Sequence, residues 1–256
     1  MSPDYGEEFR GRRVVVTGAA GVVGRWIAEA FAAQGADLLV SDARAEPLQA
    51  LADELGARAV VADLADAEGV RTLTAGLDEA WPTADVLVNN AGVYPRTPLA
   101  ETDRATVERI LDVNVVAVWE LARHVAGTLR AAGLPGAVVN LGSGATRRPT
   151  ATGAVYAASK AAVELLTRSL AIELAPDGIR VNTVGPGFAP GSEVSSLPGS
   201  HVDAMTSSIP LGRTSGPHDA PAAVLWLASS AASFVTGASI DVDGGRTAGE
   251  FTRRTS

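Results

Sequence analysis

Residues 13–42 read RVVVTGAAGVVGRWIAEAFAAQGADLLVSD, and the order of their parts decides the fold. Arg13 to Thr17 is a short apolar, β-prone run, a glycine turn follows at Gly18, Gly21 and Gly24, and a helical pattern covers about 22–34. A second apolar run spans Asp37 to Ser41. Strand, glycine turn and helix in this order put backbone amides and a helix N-terminus where they can face a pyrophosphate. Glycine permits both the tight turn and the close approach of backbone to ligand. The second run ends at Ser41-Asp42, where a carboxylate 24 residues after Gly18 can accept hydrogen bonds from an adenosine ribose and repel a 2'-phosphate. Arg44, two residues further on, can offset part of that repulsion. NAD rather than NADP is the resulting cofactor expectation.

The same alternation continues outward. Strands are expected at Arg58 to Ala62, Ala84 to Asn89, Ala137 to Leu141, Ile179 to Val184 and Ser239 to Val242, with further helices at about 45–55, 66–80, 103–131, 154–175 and 218–229. Seven strands separated by helices imply an α/β fold: one Rossmann-type domain over 1–256, with a doubly wound, seven-stranded parallel sheet covered on both faces. The stretch 185–216, rich in Gly, Pro and Ser, reads as an irregular loop and a candidate substrate lid. The tail 246–256 is either disordered or packed on a neighbouring subunit.

Composition narrows the function classes. With 21 basic against 29 acidic residues the net charge is -8, which opposes nonspecific binding to nucleic acid or to an anionic membrane. There is no cysteine, and the three histidines are scattered at His124, His201 and His218, so no metal site is expected. The first eleven residues carry Asp4, Glu7 and Glu8 and lack an apolar core, so they do not read as a secretory signal, and a cytoplasmic location is the default. An uncharged run over 220–240 is broken by Pro221, Ser229 and Gly237 and reads as a helix followed by a buried strand rather than a membrane span.

Of the 21 basic residues 20 are arginine, and the sole lysine, Lys160, lies four positions after Tyr156. On a helix that spacing puts phenol and ammonium on one face. A compact point charge beside a phenol favours the phenolate over its ordinary pKa of about 10.

These features occur together with others in a fixed order: the glycine turn, Asp63 after the third strand, Asn89-Asn90-Ala91-Gly92 after the fourth, Asn114, Ser143 thirteen residues before Tyr156, Lys160, Pro186-Gly187, and Asp243-Gly244-Gly245. Over residues 12–245 the chain resembles the short-chain dehydrogenase/reductase family. The resemblance implies a nicotinamide dinucleotide held by Gly18, Gly21, Val23 and Gly24 at the pyrophosphate, by Asp42, Asp63, Leu64, Asn90, Ala91 and Gly92 around adenosine, and by Tyr156, Lys160, Pro186 and Gly187. It also implies catalysis by Asn114, Ser143, Tyr156 and Lys160, with Lys160 lowering the pKa of Tyr156 and Asn114 supporting a proton relay. A homo-oligomer, commonly a tetramer, would form through the helices at 103–131 and 154–175. Two positions depart from the family pattern. Val22 replaces a glycine, which predicts a differently shaped turn because a β-branched residue disfavours positive φ, and the threonine after Pro-Gly is missing, leaving Ser192 as the substitute hydroxyl.

The expected activity is reversible hydride transfer between NAD and a secondary alcohol or ketone, with Tyr156 as general acid/base and Ser143 holding the substrate oxygen. Elimination or isomerisation on the same residues is the alternative, and a non-catalytic dinucleotide-binding regulator a third reading. Tyr94, Pro95, Ala145, Val155, Phe188 and the lid from Ala189 to Ser208, His201 included, are expected around the substrate. Arg147 and Arg148 either meet a substrate carboxylate or phosphate, or lie on the surface or at a subunit contact.

Overall fold

The computed structural model describes residues 5–191 and 199–251. Seven strands form one parallel sheet: β1 (Arg13–Thr17), β2 (Asp37–Asp42), β3 (Arg58–Val61), β4 (Val86–Asn89), β5 (Gly136–Leu141), β6 (Ile179–Pro186) and β7 (Ser239–Val242), in the spatial order β3-β2-β1-β4-β5-β6-β7. The Val- and Leu-rich central strands are buried on both faces, as a parallel sheet covered by helices requires. Side chains alternate between those faces. Val14 and Val16 pack with Ile27, Phe31, Leu48 and Val224, whereas Val15 packs with Leu73, Leu121 and Leu129. One face is therefore covered by α1 (Val22–Ala33), α2 (Ala45–Leu55) and α8 (Asp219–Ala228). The other is covered by α3 (Ala67–Ala80), α5 (Ala117–Ala132) and α6 (Ala154–Leu174).

The strand order reverses between β1 and β4, which pair in register at Val14↔Val86 and Val16↔Val88. At such a switch point the connections leave in opposite directions and open a crevice beyond the strand ends. Everything described below lies around that crevice.

Two expectations need correction. The single helix expected over 103–131 is two: α4 (Arg104–Leu111) runs through a π-helical turn at Asp112–Val116 into α5. The widened turn carries Asn114, fully buried, whose side chain bonds to the chain at Val93 and to Ser159. These bonds offset the irregular turn, a recurrent arrangement at functional sites. The stretch 185–216, read as irregular, contains the helix α7 (Gly199–Ser207). Among the described residues no helix is long and apolar enough to cross a membrane, and the uncharged 220–240 run is indeed α8 and the approach to β7.

Candidate active site

The floor of the crevice is backbone packed on backbone. Gly18 adopts φ +63, and a Cβ there would lie 2.7 Å from the Ala91 Cα. A Cβ on Gly24 would meet the Gly18 carbonyl at 2.2 Å, so only glycine lets α1 start directly against the turn. Asn90 clamps the two segments by donating to the carbonyls of Thr17 (2.9 Å) and Gly18 (3.0 Å). Thr17 Oγ1 returns the clamp by accepting from the amides of Asn90 and Ala91. Gly21 precedes α1 without any side-chain cap, so the first amides of that helix stay available to an anion.

Val22 is spared a positive φ. It is the first residue of α1, and every positive φ among the described residues belongs to glycine. The strain expected of a β-branched residue falls instead on Gly18, where it is absorbed at no steric cost. Val22 Cγ2 sits opposite Gly191, 3.8 Å from where a Cβ would stand.

At the rim, Asp42 is nearly buried and accepts from the Ala20 amide at 3.1 Å. Its other contacts come from Arg44, whose amide and Nε each donate to Oδ1 at 3.0 Å. The carboxylate is thus at the turn, with a guanidinium folded over it. Asp63 is half exposed and takes bonds from the Ala65 amide and Arg109. Leu64 puts its side chain into the core, so any contact it makes with an adenosine would come from its backbone.

The catalytic candidates converge beyond β4 and β5. Ser143 leaves β5 in an extended conformation and caps a short 3-10 turn, its Oγ accepting from the Ala145 amide at 3.1 Å. Tyr156 is in the first turn of α6, close enough to Ser143 for the serine to act on its phenol. Lys160, one turn on, is buried and donates to the Leu141 carbonyl at the end of β5, 2.8 Å away. Its Nζ lies 3.5 Å and the Asn114 Oδ1 3.3 Å from where a Cβ on Gly92 would be, so the ammonium and the amide flank that glycine. Ser159 joins the two groups of residues by donating to the Tyr156 carbonyl (2.7 Å) and accepting from Asn114 (3.0 Å).

The electrostatics differ from the simple expectation. Burial raises the Tyr156 phenol above its ordinary range, the Ser143 hydrogen bond pulls it back, and Tyr94 pushes it up again. Lys160 does not overcome this, because its Nζ is 6.0 Å from the Tyr156 ring centroid and burial pulls the ammonium itself down to about 8. Desolvation disfavours the charged form of each group, so the chain alone keeps the phenol protonated.

Around the tyrosine, Tyr94 packs edge-on against its ring at 5.9 Å. A cavity beside it is lined by Pro95, Thr97, Thr152 and Val155. Pro186 closes β6, and a Cβ on Gly187 would approach the Asp243 Cα to 3.0 Å. The Phe188 carbonyl accepts from the Ser215 amide. Ser192 and the His201 side chain lie outside the described residues.

Several pairings had no local sequence signal. Arg147 forms an ion pair with Asp241 at 2.5 Å, and Thr146 donates to Glu164 at 2.8 Å, so β7 and α6 brace the turn that carries Ser143. These partners are far apart in the chain, and only their type, a charge or hydroxyl beside the serine, was visible. Among the described residues no cluster of His, Cys, Asp or Glu is suited to a metal.

The uncapped α1 terminus, the glycine floor and Asp42 together fit a dinucleotide. A family model described as Enoyl-(Acyl carrier protein) reductase matches residues 18–247. The chain is 38% identical over 248 residues to cis-4-hydroxycyclohexanecarboxylate dehydrogenase of Sinomonas cyclohexanicum, across 95% of this chain and 99% of that protein. It is 40% identical over 255 residues to galactitol 2-dehydrogenase (L-tagatose-forming) of Cereibacter sphaeroides, again across 95% and 99%. A solved structure from Beutenbergia cavernae, provisionally assigned as an NAD(P)-dependent gluconate 5-dehydrogenase and holding NADP at low occupancy, has a TM-score of 0.88 at 38% identity, covering 95% of this chain and 100% of that one.

Proposed function

The chain belongs to the short-chain dehydrogenase/reductase family, an oxidoreductase acting on CH–OH groups, and from that premise we propose that it interconverts a secondary alcohol and a ketone, preferring NAD(H), with Tyr156 as general acid/base. The observation that carries the reading is Lys160, buried one helical turn from Tyr156, bonded to the Leu141 carbonyl and flanking Gly92 together with Asn114.

The nicotinamide, when bound, supplies the hydride acceptor or donor. The chain's own groups handle the proton and the charge. In oxidation Tyr156, ionised to the phenolate, takes the carbinol proton; in reduction the neutral phenol gives its proton to the forming alkoxide. Ser143 and Tyr156 donate to the substrate oxygen as negative charge develops there. Lys160 holds a positive charge next to the site, and the cationic form of a bound oxidised cofactor would add to the pull that the lysine alone does not supply. Gly18, Gly21, Val23 and Gly24 cradle the pyrophosphate, Asn90 to Gly92 line the floor, and Pro186 and Gly187 border the nicotinamide end. Tyr94, Ala145 and Phe188 border the substrate.

Asp42 supports NAD, since its carboxylate stands at the glycine turn, bonded to the Ala20 amide, where a ribose hydroxyl would be able to donate to it. Arg44 neutralises part of that charge, so the discrimination against NADP is modest. Exposed Val116, Trp119, Leu165 and Ile172 support a homo-oligomer through α5 and α6, and a monomer in light scattering would refute it.

Tyr156→Phe tests the chemistry. We expect turnover to be abolished while NADH binding, followed by nicotinamide fluorescence, is kept. Substantial residual activity removes Tyr156 from the role, and substrate consumption without NADH accumulation would point to elimination or isomerisation.

A further inference from the structure

Three arginines, Arg147, Arg148 and Arg246, gather beyond the catalytic residues, a fourth, Arg96, acts on Arg246 through its charge, and they are not equivalent. Arg147 is neutralised by Asp241. For Arg96, Arg148 and Arg246 no carboxylate lies within ion-pair distance among the described residues. Arg246 is the most telling, because it is half buried yet its donors reach only Ser208 Oγ and the Met205 sulfur, each at 3.4 Å. Asp243, the acid whose charge favours the Arg246 cation, is occupied by the amides of Gly245 (2.9 Å) and Thr247 (2.8 Å) and by the Thr247 hydroxyl (2.6 Å). Arg148 bonds to the Arg246 carbonyl at 3.3 Å, which keeps the two residues adjacent.

Each arginine comes from a segment that also builds the site. Arg96 follows Tyr94, which packs on Tyr156. The Arg148 amide bonds to the Gly144 carbonyl, next to Ser143, at 2.9 Å. Thr247, beside Arg246, packs on Gly144, with its Cγ2 2.7 Å from where a Cβ would be. The Arg246 side chain reaches α7, the lid helix.

A partly buried cation without an anion is costly, and further cations beside it raise that cost. Burial lowers the Arg246 guanidinium from its ordinary range, Arg148 and Arg96 push it further down, and Asp243 compensates only in part. In a chain of net charge -8 such a cluster is a local departure from the overall field, so it selects anions at one place. Guanidinium forks match carboxylate and phosphate oxygens in pairs.

We propose that Arg148 and Arg246, with Arg96 on the neighbouring segment adding its charge, form an anion-binding rim that takes a carboxylate or phosphate carried by the substrate away from its reacting carbinol, so that the preferred alcohol is an anionic hydroxy compound. This rests on the dehydrogenase reading for its meaning, but not for its test.

The test is calorimetric binding of three unreactive or neutral probes, cyclohexanecarboxylate, cyclohexyl phosphate and cyclohexylmethanol, to the wild type and to Arg96→Gln, Arg148→Gln and Arg246→Gln. Arg246→Lys guards against misfolding of the last. We expect at least one anion to bind about tenfold tighter than the neutral isostere, to weaken with rising salt, and to lose about fivefold in Arg148→Gln with cyclohexylmethanol unchanged. The tighter of the two anions identifies the group. Equal affinity for charged and neutral probes, or variants that weaken both alike, overturns the rim. A parallel assay with 4-hydroxycyclohexanecarboxylate and cyclohexanol separates the two ideas. Anion binding without NADH from any alcohol removes the dehydrogenase reading and keeps the rim, whereas oxidation of cyclohexanol with no anion preference does the reverse.

Discussion

Asn114 and Val93 are joined edge to edge: the amide oxygen accepts from the Val93 N–H at 2.8 Å and the amide nitrogen donates to the Val93 carbonyl at 2.9 Å. A side chain thereby pairs with the backbone as a neighbouring strand would, and it holds the segment from Gly92 to Tyr94 over the site. Asn114→Ala leaves both Val93 groups without their partner, so we expect a loss of about 2–4 kcal/mol in urea unfolding and faster amide exchange at 92–97. Unchanged exchange there would show that the clamp is dispensable.

Lys160 gives a pH signature. Its ammonium is pulled from 10.5 to about 8, which at about 1.36 kcal/mol per pH unit is a folding penalty on the order of 3 kcal/mol at neutral pH. The unfolded chain binds the extra proton between those values, so stability rises with pH across that window. We expect nucleotide-free Lys160→Met to be at least as stable as the wild type at pH 7, with the wild type gaining ground as pH rises from about 8 towards 10.5. A difference in unfolding midpoint that stays flat over that window would contradict the assigned burial.

The Asp42–Arg44 pair sets the cofactor prediction. Asp42→Ala removes the carboxylate and frees the guanidinium, so NADPH affinity should rise about tenfold while NADH affinity falls. Arg44→Ala should do the opposite and sharpen the preference for NADH. Equal responses to the two nucleotides in fluorescence titration would remove Asp42 from selectivity.

Arg147 and Arg148 are adjacent in sequence but separable in effect. Arg147→Ala breaks the brace between the Ser143 turn and Asp241, so kcat should fall about tenfold for charged and neutral alcohols alike. Loss confined to charged alcohols would return Arg147 to substrate recognition.

Local signals account for much of what was legible. Alternating apolar runs and helical patterns placed all seven strands and the doubly wound sheet, because strand and helix periods are local properties of the chain. The order Gly18, Asn90, Ser143, Tyr156, Lys160 placed the crevice, since motifs at strand ends meet wherever the strands are parallel neighbours. The π turn was hidden, because it exists only when Asn114 finds Val93 from a different segment.

What the sequence determined by itself was therefore the fold, the family and which residues are candidates for the reacting groups. What only the tertiary structure decided was their state. Burial keeps Tyr156 and Lys160 from being a simple phenolate–ammonium pair. Arg44 covers Asp42, Asp241 claims Arg147, and Arg246 is left among cations. The reason is physical: hydrophobic period and glycine spacing act over a few residues, whereas the charge a group carries and the partner it keeps depend on desolvation and on neighbours brought together only by folding.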